Sequence, residues 1–283
     1  MKIIECPRDA MQGLHGFVPT DLKIKYINEL LKVGFDTIDF GSFVSPKAIP
    51  QLKDTAEVLT GLNLEHTKSK LLAIVANVRG AQEACKHEPI NYLGFPLSLS
   101  ETFQQRNTNK SIAEAFEQLK IIQDLCQTND KTLVTYLSMG FGNPYGDPYE
   151  IPYVSEFIFK LKAMDIQIIS LADTIGVSNP NNITKLFGSI TQEFEKIEFG
   201  VHLHSDLDTA VEKIDAAYKA GCRRFDGAVN GFGGCPMAED KLVGNIATET
   251  ILSYFEHHSI EIPFDHKVFQ HVLNIAPEVF LGR

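Results

Sequence analysis

The sequence predicts a single (β/α)8, or TIM, barrel with a C-terminal helical extension. Eight short apolar runs rich in β-branched residues alternate with longer segments whose apolar residues recur at helical spacing, which is the pattern of parallel βα units. The length of 283 residues suits one barrel, a fold of roughly 250 residues. The first run is not followed by the glycine fingerprint of an open doubly wound sheet. We expect one domain over residues 1–283, with the barrel over about 1–257 and the extension over about 258–283.

The predicted elements follow one another in order along the chain. The strands cover residues 2–5, 37–40, 71–75, 92–97, 132–138, 167–171, 198–203 and 224–229. The helices include residues 21–33, 111–126, 154–164, 181–194, 208–220 and 242–254. Thr20 is a suitable N-cap for the first of these helices, and Gly221 ends the helix before the last strand. A last helix within residues 262–283 is expected to pack on the barrel.

The composition excludes several classes of protein. Hydrophobic residues make up 44% and charged residues 22% of the chain, as in ordinary globular proteins. The net charge of −10 repels nucleic acid and anionic membrane surfaces. Because the sequence shows neither a signal peptide nor a membrane-spanning run, we predict a cytoplasmic protein without nucleic-acid or membrane partners. Five scattered cysteines with no Cys-x-x-Cys pair predict reduced thiols, not a disulfide framework or a zinc ribbon.

His202 and His204 are candidate metal ligands near the end of the seventh predicted strand. Residues two apart on a strand point to the same face, so the two imidazoles should project side by side. Alone, such a pair more often ends a strand without binding a metal. Asp9, Asn245 and the two histidines together would offer two nitrogen and two oxygen ligands, a set that fits Mg²⁺ or Mn²⁺, with Zn²⁺ as an alternative.

Other polar residues follow predicted strands, at the end of a barrel that carries active sites. Arg8 is a fixed positive charge able to stabilise an oxyanion, although Arg8 and Asp9 can also form a surface ion pair of little value. Asp39 and Asp173 are each a candidate catalytic carboxylate or a simple cap. Cys235, on a glycine-rich loop, is either a mobile acid–base group or a small buried hydrophobe.

Taken in order, these motifs resemble those of the hydroxymethylglutaryl-CoA lyase family of metal-dependent barrel enzymes. The glycine–cysteine loop is the most specific of them, because related barrel aldolases and acyl-CoA synthases share the Arg-Asp start and the His-x-His pair but not this loop. The matching segments are Pro7-Arg8-Asp9 with Gln12, Ser42-Phe43-Val44-Ser45-Pro46-Lys47, Asp173-Thr174-Ile175-Gly176, Val201-His202-Leu203-His204, Gly231-Phe232-Gly233-Gly234-Cys235-Pro236 and Gly244-Asn245-Ile246-Ala247-Thr248-Glu249.

The resemblance implies a function and a role for each candidate residue. The implied reaction cleaves 3-hydroxy-3-methylglutaryl-CoA to acetyl-CoA and acetoacetate. The implied ligands of a divalent cation are Asp9, His202, His204 and Asn245. Arg8 would neutralise the enolate that forms on the thioester oxygen. The implied proton-transfer groups are His202 and Cys235, while Asp173 would orient groups near the metal.

The remaining expectations concern the substrate and the assembly. Gln12, Ser42 and Lys47 are candidate substrate contacts, with Lys47, Arg106 and Lys110 as candidate cations for the nucleotide of CoA. Since dimers are the commonest assembly of soluble enzymes, we expect a homodimer.

The chain departs from the family pattern at two positions close to the chemistry. Asp39 stands where the family usually has a glutamate, and its shorter side chain would lengthen a contact with Arg8 or the reacting oxygen, or leave it to water. Ser205 stands where the better-known lyases have Asp, with Asp206 one place along. These departures leave open a related lyase or aldolase acting on another 3-hydroxyacyl-CoA or on a 2-oxo acid aldol. A non-catalytic barrel that binds a metal or a metabolite is the further alternative.

Overall fold

Eight parallel strands close a barrel, which confirms the predicted fold. The computed structural model describes residues 1–233 and 244–282. Each strand pairs with its neighbours in chain order, and the last pairs with the first. The strands are β1 (Lys2–Glu5), β2 (Thr37–Ser42), β3 (Lys70–Ile74), β4 (Ile90–Ser98), β5 (Thr132–Ser138), β6 (Ile168–Ala172), β7 (Glu198–His202) and β8 (Arg224–Gly227). Every predicted strand overlaps an observed one.

Helices surround the barrel in the described part of the chain. They are α1 (Pro7–Gln12), α2 (Thr20–Val33), α3 (Thr55–Thr60), α4 (Val78–Cys85), α5 (Glu101–Thr108), α6 (Ile112–Thr128), α7 (Ile151–Ala163), α8 (Pro180–Glu193), α9 (Ala210–Lys219), α10 (Thr248–His257) and α11 (His266–Phe280). The start of α6 shows how the sequence fixes a boundary. Ser111 and Glu114 form a reciprocal capping box there, which satisfies backbone N–H groups that the first helical turn leaves unpaired.

Two boundaries near the site differ from the prediction. The helix predicted over residues 242–254 begins only at Thr248, because Asn245 and Ala247 instead form bridges with His204 and Ala228; residues 242 and 243 lie outside the described part. The strand predicted to reach residue 229 ends at Gly227. A Cβ at Gly227 would come within 2.8 Å of Thr248 Oγ1, so the chain entering α10 approaches the strand closely.

The barrel interior has two halves of different character. The apolar half consists of inward-facing side chains of β3 to β6, namely Leu72, Ile74, Tyr92, Val134, Tyr136 and Ile168. The polar half consists of buried charged and polar side chains that follow β1 or lie on β2, β7 and β8, namely Arg8, Asp9, Asp39, His202, Arg224 and Asp226. Successive side chains of a strand point to opposite sides. Phe225 of β8 packs outward on Phe255 of α10, so Arg224 and Asp226 on either side of it point inward.

The C-terminal extension packs on the outside of the barrel, as expected. Phe280 of α11 meets Tyr26 of α2 edge to face with ring centroids 5.6 Å apart, and Phe269 meets Phe35 at 6.1 Å. This packing supports the proposal that barrel and extension form one domain over residues 1–283. No helix in residues 1–233 and 244–282 is long and apolar enough to cross a membrane.

Candidate functional site

Asp9, His202 and His204 meet at the carboxyl end of the barrel. One ligand atom from each of them lies within 4.8 Å of the others. The two imidazole rings are 5.3 Å apart between centroids, and Nε2 of His202 is 3.9 Å from Oδ2 of Asp9. The strand itself ends at His202, so His204 lies just beyond it. The side-by-side placement predicted for the two rings is nevertheless present.

The chain after β8 holds His204 in place beyond the end of β7. His204 and Asn245 form an antiparallel bridge. The N–H of Ser205 donates to the carbonyl of Gly244 at 3.0 Å, and the N–H of Ile246 donates to the carbonyl of Leu203 at 3.3 Å. These main-chain hydrogen bonds continue the pairing of the chain to His204, two residues beyond the end of β7. They do not require a particular side chain.

The protonation states at the site suit metal binding. Burial would raise the pKa of Asp9, but the charges of Arg8 and His202 outweigh it and lower that pKa to about 2. Burial and the neighbouring His202 lower the pKa of His204 to about 4. An ionised carboxylate and a neutral imidazole are the forms that bind a metal ion.

One nitrogen of the site is left unpaired. Nε2 of His204 is buried and has no hydrogen-bond partner among the described residues. An unpaired buried polar atom costs free energy unless something satisfies it. Together with the ionised carboxylate of Asp9, this nitrogen makes the described residues a good fit for a divalent cation.

Asn245, the fourth predicted ligand, lies beside Asp9 but contacts it through nitrogen. Its Nδ2 donates to Oδ2 of Asp9 at 2.8 Å and to the carbonyl of Phe232 at 2.9 Å. In this orientation the amide positions the Asp9 carboxylate. Binding a cation through the amide oxygen requires the amide to turn over, so its ligand role stays a prediction.

Arg8 links the metal-site carboxylate to Asp39. Its Nε donates to both oxygens of Asp39 at 3.0 and 3.2 Å, and its Nη2 donates to Oδ2 at 2.5 Å. Its Nη1 donates to Oδ1 of Asp9 at 2.9 Å and to Oε1 of Gln12 at 3.0 Å. The shorter Asp39 therefore reaches Arg8 directly, neither lengthening the contact nor leaving it to water. Burial raises the pKa of Asp39 to about 6, although Arg8 opposes that shift.

Asp173 lies behind His204, away from the cavity. It accepts hydrogen bonds from the backbone N–H and the hydroxyl of Ser178, and Nζ of Lys213 lies 3.5 Å from its Oδ2. The same lysine donates to the carbonyl of His204 at 2.7 Å. Asp173 thus caps the turn at Ser178 and holds the lysine that supports the backbone of His204, whereas its role as a catalytic carboxylate stays a prediction.

A cavity of about 310 Å³ opens beside the candidate ligands. Arg8, Gln12 and the two histidines contribute its polar wall, and Val44, Ile74 and Pro96 belong to its apolar wall. A wider groove of about 1110 Å³ lies at the opposite end of the barrel, and none of the predicted site residues within 1–233 and 244–282 lines it.

Two predicted substrate contacts, Ser42 and Lys47, do not line this cavity, and neither does Ser205. Ser42 is buried, and its hydroxyl donates to the carbonyl of Ile74 at 3.3 Å. Lys47 is exposed on the following loop. Ser205 shares a hydrogen bond of 2.7 Å with the hydroxyl of Thr209. The structure therefore brings Gln12 to the cavity, but not the other two predicted substrate contacts.

Cys235 lies outside the described residues, but the glycines next to that segment are informative. Gly233 has φ +95°, and a Cβ there would come within 2.7 Å of Asn245 Nδ2 and 2.8 Å of Ala10 Cα. A Cβ at Gly244 would come within 2.6 Å of the carbonyl oxygen of Gly231. Only glycine fits such close approaches without movement, so the first flank passes against the site and the two flanks lie close to each other.

Sequence reasoning missed Asp226 and Tyr136, which both meet His202. Oδ2 of Asp226 is 3.3 Å from Nδ1 of His202, and the Tyr136 ring meets the imidazole edge to face at 6.2 Å. Arg224 and Asp226 flank Phe225 on the last strand, so their charges lie on one face of it. Because charged side chains are rarely buried in a barrel without a partner, this pattern could have indicated Asp226.

Comparisons with known proteins agree with this arrangement. The HMGL-like family profile matches residues 2–275. Hydroxymethylglutaryl-CoA lyase YngG of Bacillus subtilis is 34% identical over 90% of this chain and 84% of its own length. The cytoplasmic 3-hydroxy-3-methylglutaryl-CoA lyase of Rattus norvegicus is 32% identical over 95% of this chain and 78% of its own length.

Solved structures show the same relationship. The crystal structure of the Bacillus subtilis HMG-CoA lyase superposes with a TM-score of 0.92 at 32% identity, covering 98% of this chain and 92% of that one. An HMG-CoA lyase from Acinetobacter baumannii, solved in complex with coenzyme A and 3-methylmalate, gives 0.91 at 31% identity, covering 99% and 91%. The resemblance inferred from the motifs is confirmed, and the chain belongs to the HMGL-like family.

Proposed function

We propose that this protein is a metal-dependent carbon–carbon lyase that cleaves 3-hydroxy-3-methylglutaryl-CoA to acetyl-CoA and acetoacetate. The observation that carries the proposal is the group Asp9, His202 and His204 at the mouth of the barrel, beside the Arg8 guanidinium. A metal site next to a fixed cation suits a reaction that forms an alkoxide and then an enolate. The names of the relatives described above support the same substrate.

The metal would be held by Asp9, His202 and His204, with Asn245 as the proposed fourth ligand. When bound, Mg²⁺ or Mn²⁺, or alternatively Zn²⁺, supplies the Lewis acidity that makes the C3 hydroxyl of the substrate more acidic. Arg8 needs no reorganisation to act, because Asp39 and Asp9 already fix its guanidinium. It stabilises negative charge on the thioester oxygen as the enolate develops.

The proton that leaves the substrate hydroxyl must reach the departing carbon. Loss of that proton turns C3 into a carbonyl while the C2–C3 bond breaks, which yields acetoacetate and the enolate of acetyl-CoA. Protonation of the enolate carbon completes the balance. We assign this transfer to Cys235 and to His202, which can accept a proton only while its Nε2 is not bound to the cation. Gly233, two residues before the cysteine, lies against Ala10 and Asn245, so the proposed proton donor is attached next to the site.

The cavity next to the site suits the acyl part of the substrate. Its volume of about 310 Å³ is at the lower end of the range for small-molecule pockets, roughly 300–1,000 Å³, so the nucleotide of CoA would extend outside it. Gln12 is placed to contact the acyl group, and the exposed Lys47 remains a proposed contact for the remainder. Ser42 would act through the loop that it holds, because its buried hydroxyl accepts from the N–H of Val44.

The assembly and the cellular location are also proposals. We propose a homodimer that works in the cytoplasm without nucleic-acid or membrane partners. The relatives carry both cytoplasmic and mitochondrial designations, so their names do not decide the compartment.

A direct assay tests the proposed reaction. Freshly reduced protein with Mg²⁺ or Mn²⁺ should release acetoacetate from 3-hydroxy-3-methylglutaryl-CoA, and chelation of the metal should stop the release. The Cys235→Ala variant should bind metal normally and lose turnover. A panel of 3-hydroxyacyl-CoA esters and 2-oxo acid aldols completes the experiment. Activity confined to free oxo acids would exclude the CoA substrate, and normal metal binding without turnover of any compound would favour the non-catalytic barrel.

A further inference from the structure

His202 lies between two carboxylates, one on each ring nitrogen. Nε2 is 3.9 Å from Oδ2 of Asp9, at the open end of the barrel. Nδ1 is 3.3 Å from Oδ2 of Asp226. His202 and Asp226 are direct partners in the register of β7 and β8, so the strand pairing itself sets this contact.

Asp226 is buried deeply enough to need a partner. Its side chain is fully enclosed, and its Oδ1 has no hydrogen-bond partner among the described residues. The guanidinium of Arg224, two residues earlier on the same face, is fully buried as well. Gly200 makes room for it, because a Cβ there would come within 2.9 Å of Arg224 Cδ. The enclosed carboxyl therefore finds its partner through Oδ2, which lies within hydrogen-bond distance of Nδ1 of His202.

A second set of potential metal ligands shares His202 but uses other partners. Ligand atoms of Cys6, His202 and Asp226 lie within 4.8 Å of one another. Only a thiolate binds a metal ion strongly. Burial and the neighbouring carboxylates, Asp226 first, raise the pKa of Cys6 well above its usual value, and its thiol donates weakly to the carbonyl of Ile4 at 3.8 Å. Neither Cys6 nor Asp226 lines the cavity beside Asp9, so the set around Asp226 is placed to hold the histidine from behind.

We propose that Asp226 is a positioning residue for His202. It accepts the Nδ1–H of the imidazole, which fixes the tautomer and leaves the lone pair of Nε2 directed toward Asp9 for the cation. The inference rests on the metal site of the proposed function. Partners that orient a ligating histidine in this way typically change metal affinity by roughly 10–100-fold when they are removed.

His204 provides an internal contrast. Its ring is held by a hydrogen bond to the backbone of Thr174, while its Nε2 is unpaired within residues 1–233 and 244–282. Side-chain substitution cannot remove a main-chain acceptor. A change at Asp226 should therefore alter the tautomer of His202 and leave that of His204 unchanged.

The test measures the tautomer and metal affinity without substrate. ¹⁵N NMR of the metal-free wild-type protein, at an alkaline pH where the imidazoles are neutral, should show His202 protonated at Nδ1. The His202 signal is assigned by its loss in His202→Gln.

Titration with Mn²⁺ alone measures the metal affinity. Binding should be weakened by roughly 10–100-fold in Asp226→Ala and by less in Asp226→Asn, which keeps an acceptor oxygen. Glu5→Gln is the matched control, because Glu5 is equally buried but contacts Val229 and Thr248.

The outcomes separate this inference from the proposed function. A wild-type His202 protonated at Nε2, or Asp226→Ala protein that binds Mn²⁺ as tightly as the wild type, overturns the positioning role. If Asp226→Ala does not fold, the wild-type tautomer and the affinity of Asp226→Asn decide. A wild-type protein that binds Mn²⁺ but does not cleave the proposed substrate refutes that substrate and leaves the role of Asp226 standing.

Discussion

The two halves of the barrel interior are stabilised in different ways. In the apolar half, Leu72 and Val134 are fully buried among other apolar side chains, and burial of their surface stabilises the fold directly. In the polar half, burial of Arg8 and Asp39 carries a desolvation cost that their ion pair at 2.5 Å must offset. Replacing such pairs with apolar side chains is often neutral or stabilising, so stability alone does not explain the polar half.

The difference indicates which atoms are present for chemistry. The charges of Arg8, Asp9 and Asp39 compensate one another, whereas Nε2 of His204 has no partner in the described ranges. A buried nitrogen without a partner, in a residue that lines the cavity, is most simply explained by a ligand. Substitutions in the two halves should therefore separate function from stability.

The largest effect is expected from His204→Ala. This change removes a proposed ligand whose outward nitrogen makes no hydrogen bond within the described part of the chain, so the fold should persist. Affinity for Mn²⁺, measured by calorimetry, should fall by more than about 100-fold, because even outer partners of a ligand cost 10–100-fold. His257→Ala, on the exposed end of α10, is the control. Unchanged affinity in the His204 variant would rule this residue out as a ligand.

A smaller effect is expected from Arg8→Lys. Lysine keeps the charge but cannot contact Asp39, Asp9 and Gln12 together as the planar guanidinium does. We expect kcat/KM for the proposed substrate to fall by roughly 10²–10³-fold, the typical cost of losing an oxyanion contact. Arg223→Lys, on the exposed side of the barrel, should have wild-type kinetics. Wild-type kinetics in Arg8→Lys would show that the charge alone suffices.

Leu72→Ala should have the opposite pattern. Leu72 is fully buried in the apolar half, and its truncation should lower the free energy of unfolding by about 2–5 kcal/mol. Urea denaturation measures this loss. Mn²⁺ affinity and kcat should stay at wild-type values at temperatures where the variant is folded. A Leu72→Ala variant with normal stability and impaired catalysis would contradict the proposed difference between the apolar and polar halves.

A further prediction concerns the pH dependence associated with Glu5. Burial raises the pKa of this carboxyl to about 8, although hydrogen bonds from Thr248 and Val229 oppose the shift. Between its ordinary pKa and about pH 8, the folded state holds a proton that the unfolded state has released. Stability should therefore decrease as pH rises through this range, by at most about 1.4 kcal/mol per pH unit.

Glu5→Gln isolates that contribution. The amide does not titrate, so thermal unfolding followed across pH should show a flatter decline in this variant than in the wild type. An identical slope in both proteins would mean that the buried carboxyl is not protonated in the folded state. Catalytic constants should be unaffected, since Glu5 contacts Val229 and Thr248 and none of the proposed ligands.

The barrel and most of the site could be predicted from the sequence because their signals are local. Alternation of apolar runs reveals the strands, and residues such as Asp9 and His204 follow strand ends, where barrel chemistry is located. Helix α1 was not predicted because it has only six residues, although Pro7 at its first position is a typical start.

The parts that could not be predicted depend on contacts between distant segments. Asp226 lies inside a strand and becomes relevant only because register pairs it with His202. The orientation of the Asn245 amide depends on Asp9, 236 residues away in the chain. The reach of Asp39 to Arg8 depends on where α1 packs on β2. In each case a local pattern identifies the residue type but not the partner atom.

Anomalous diffraction from crystals grown with Mn²⁺ tests the central claim most directly, because it locates the metal without assuming a substrate. The arrangement described above predicts one strong peak bonded to Asp9, to Nε2 of His202 and to Nε2 of His204. A peak between Cys6 and Asp226 on the other side of the imidazole, or no peak at the barrel mouth, would contradict it.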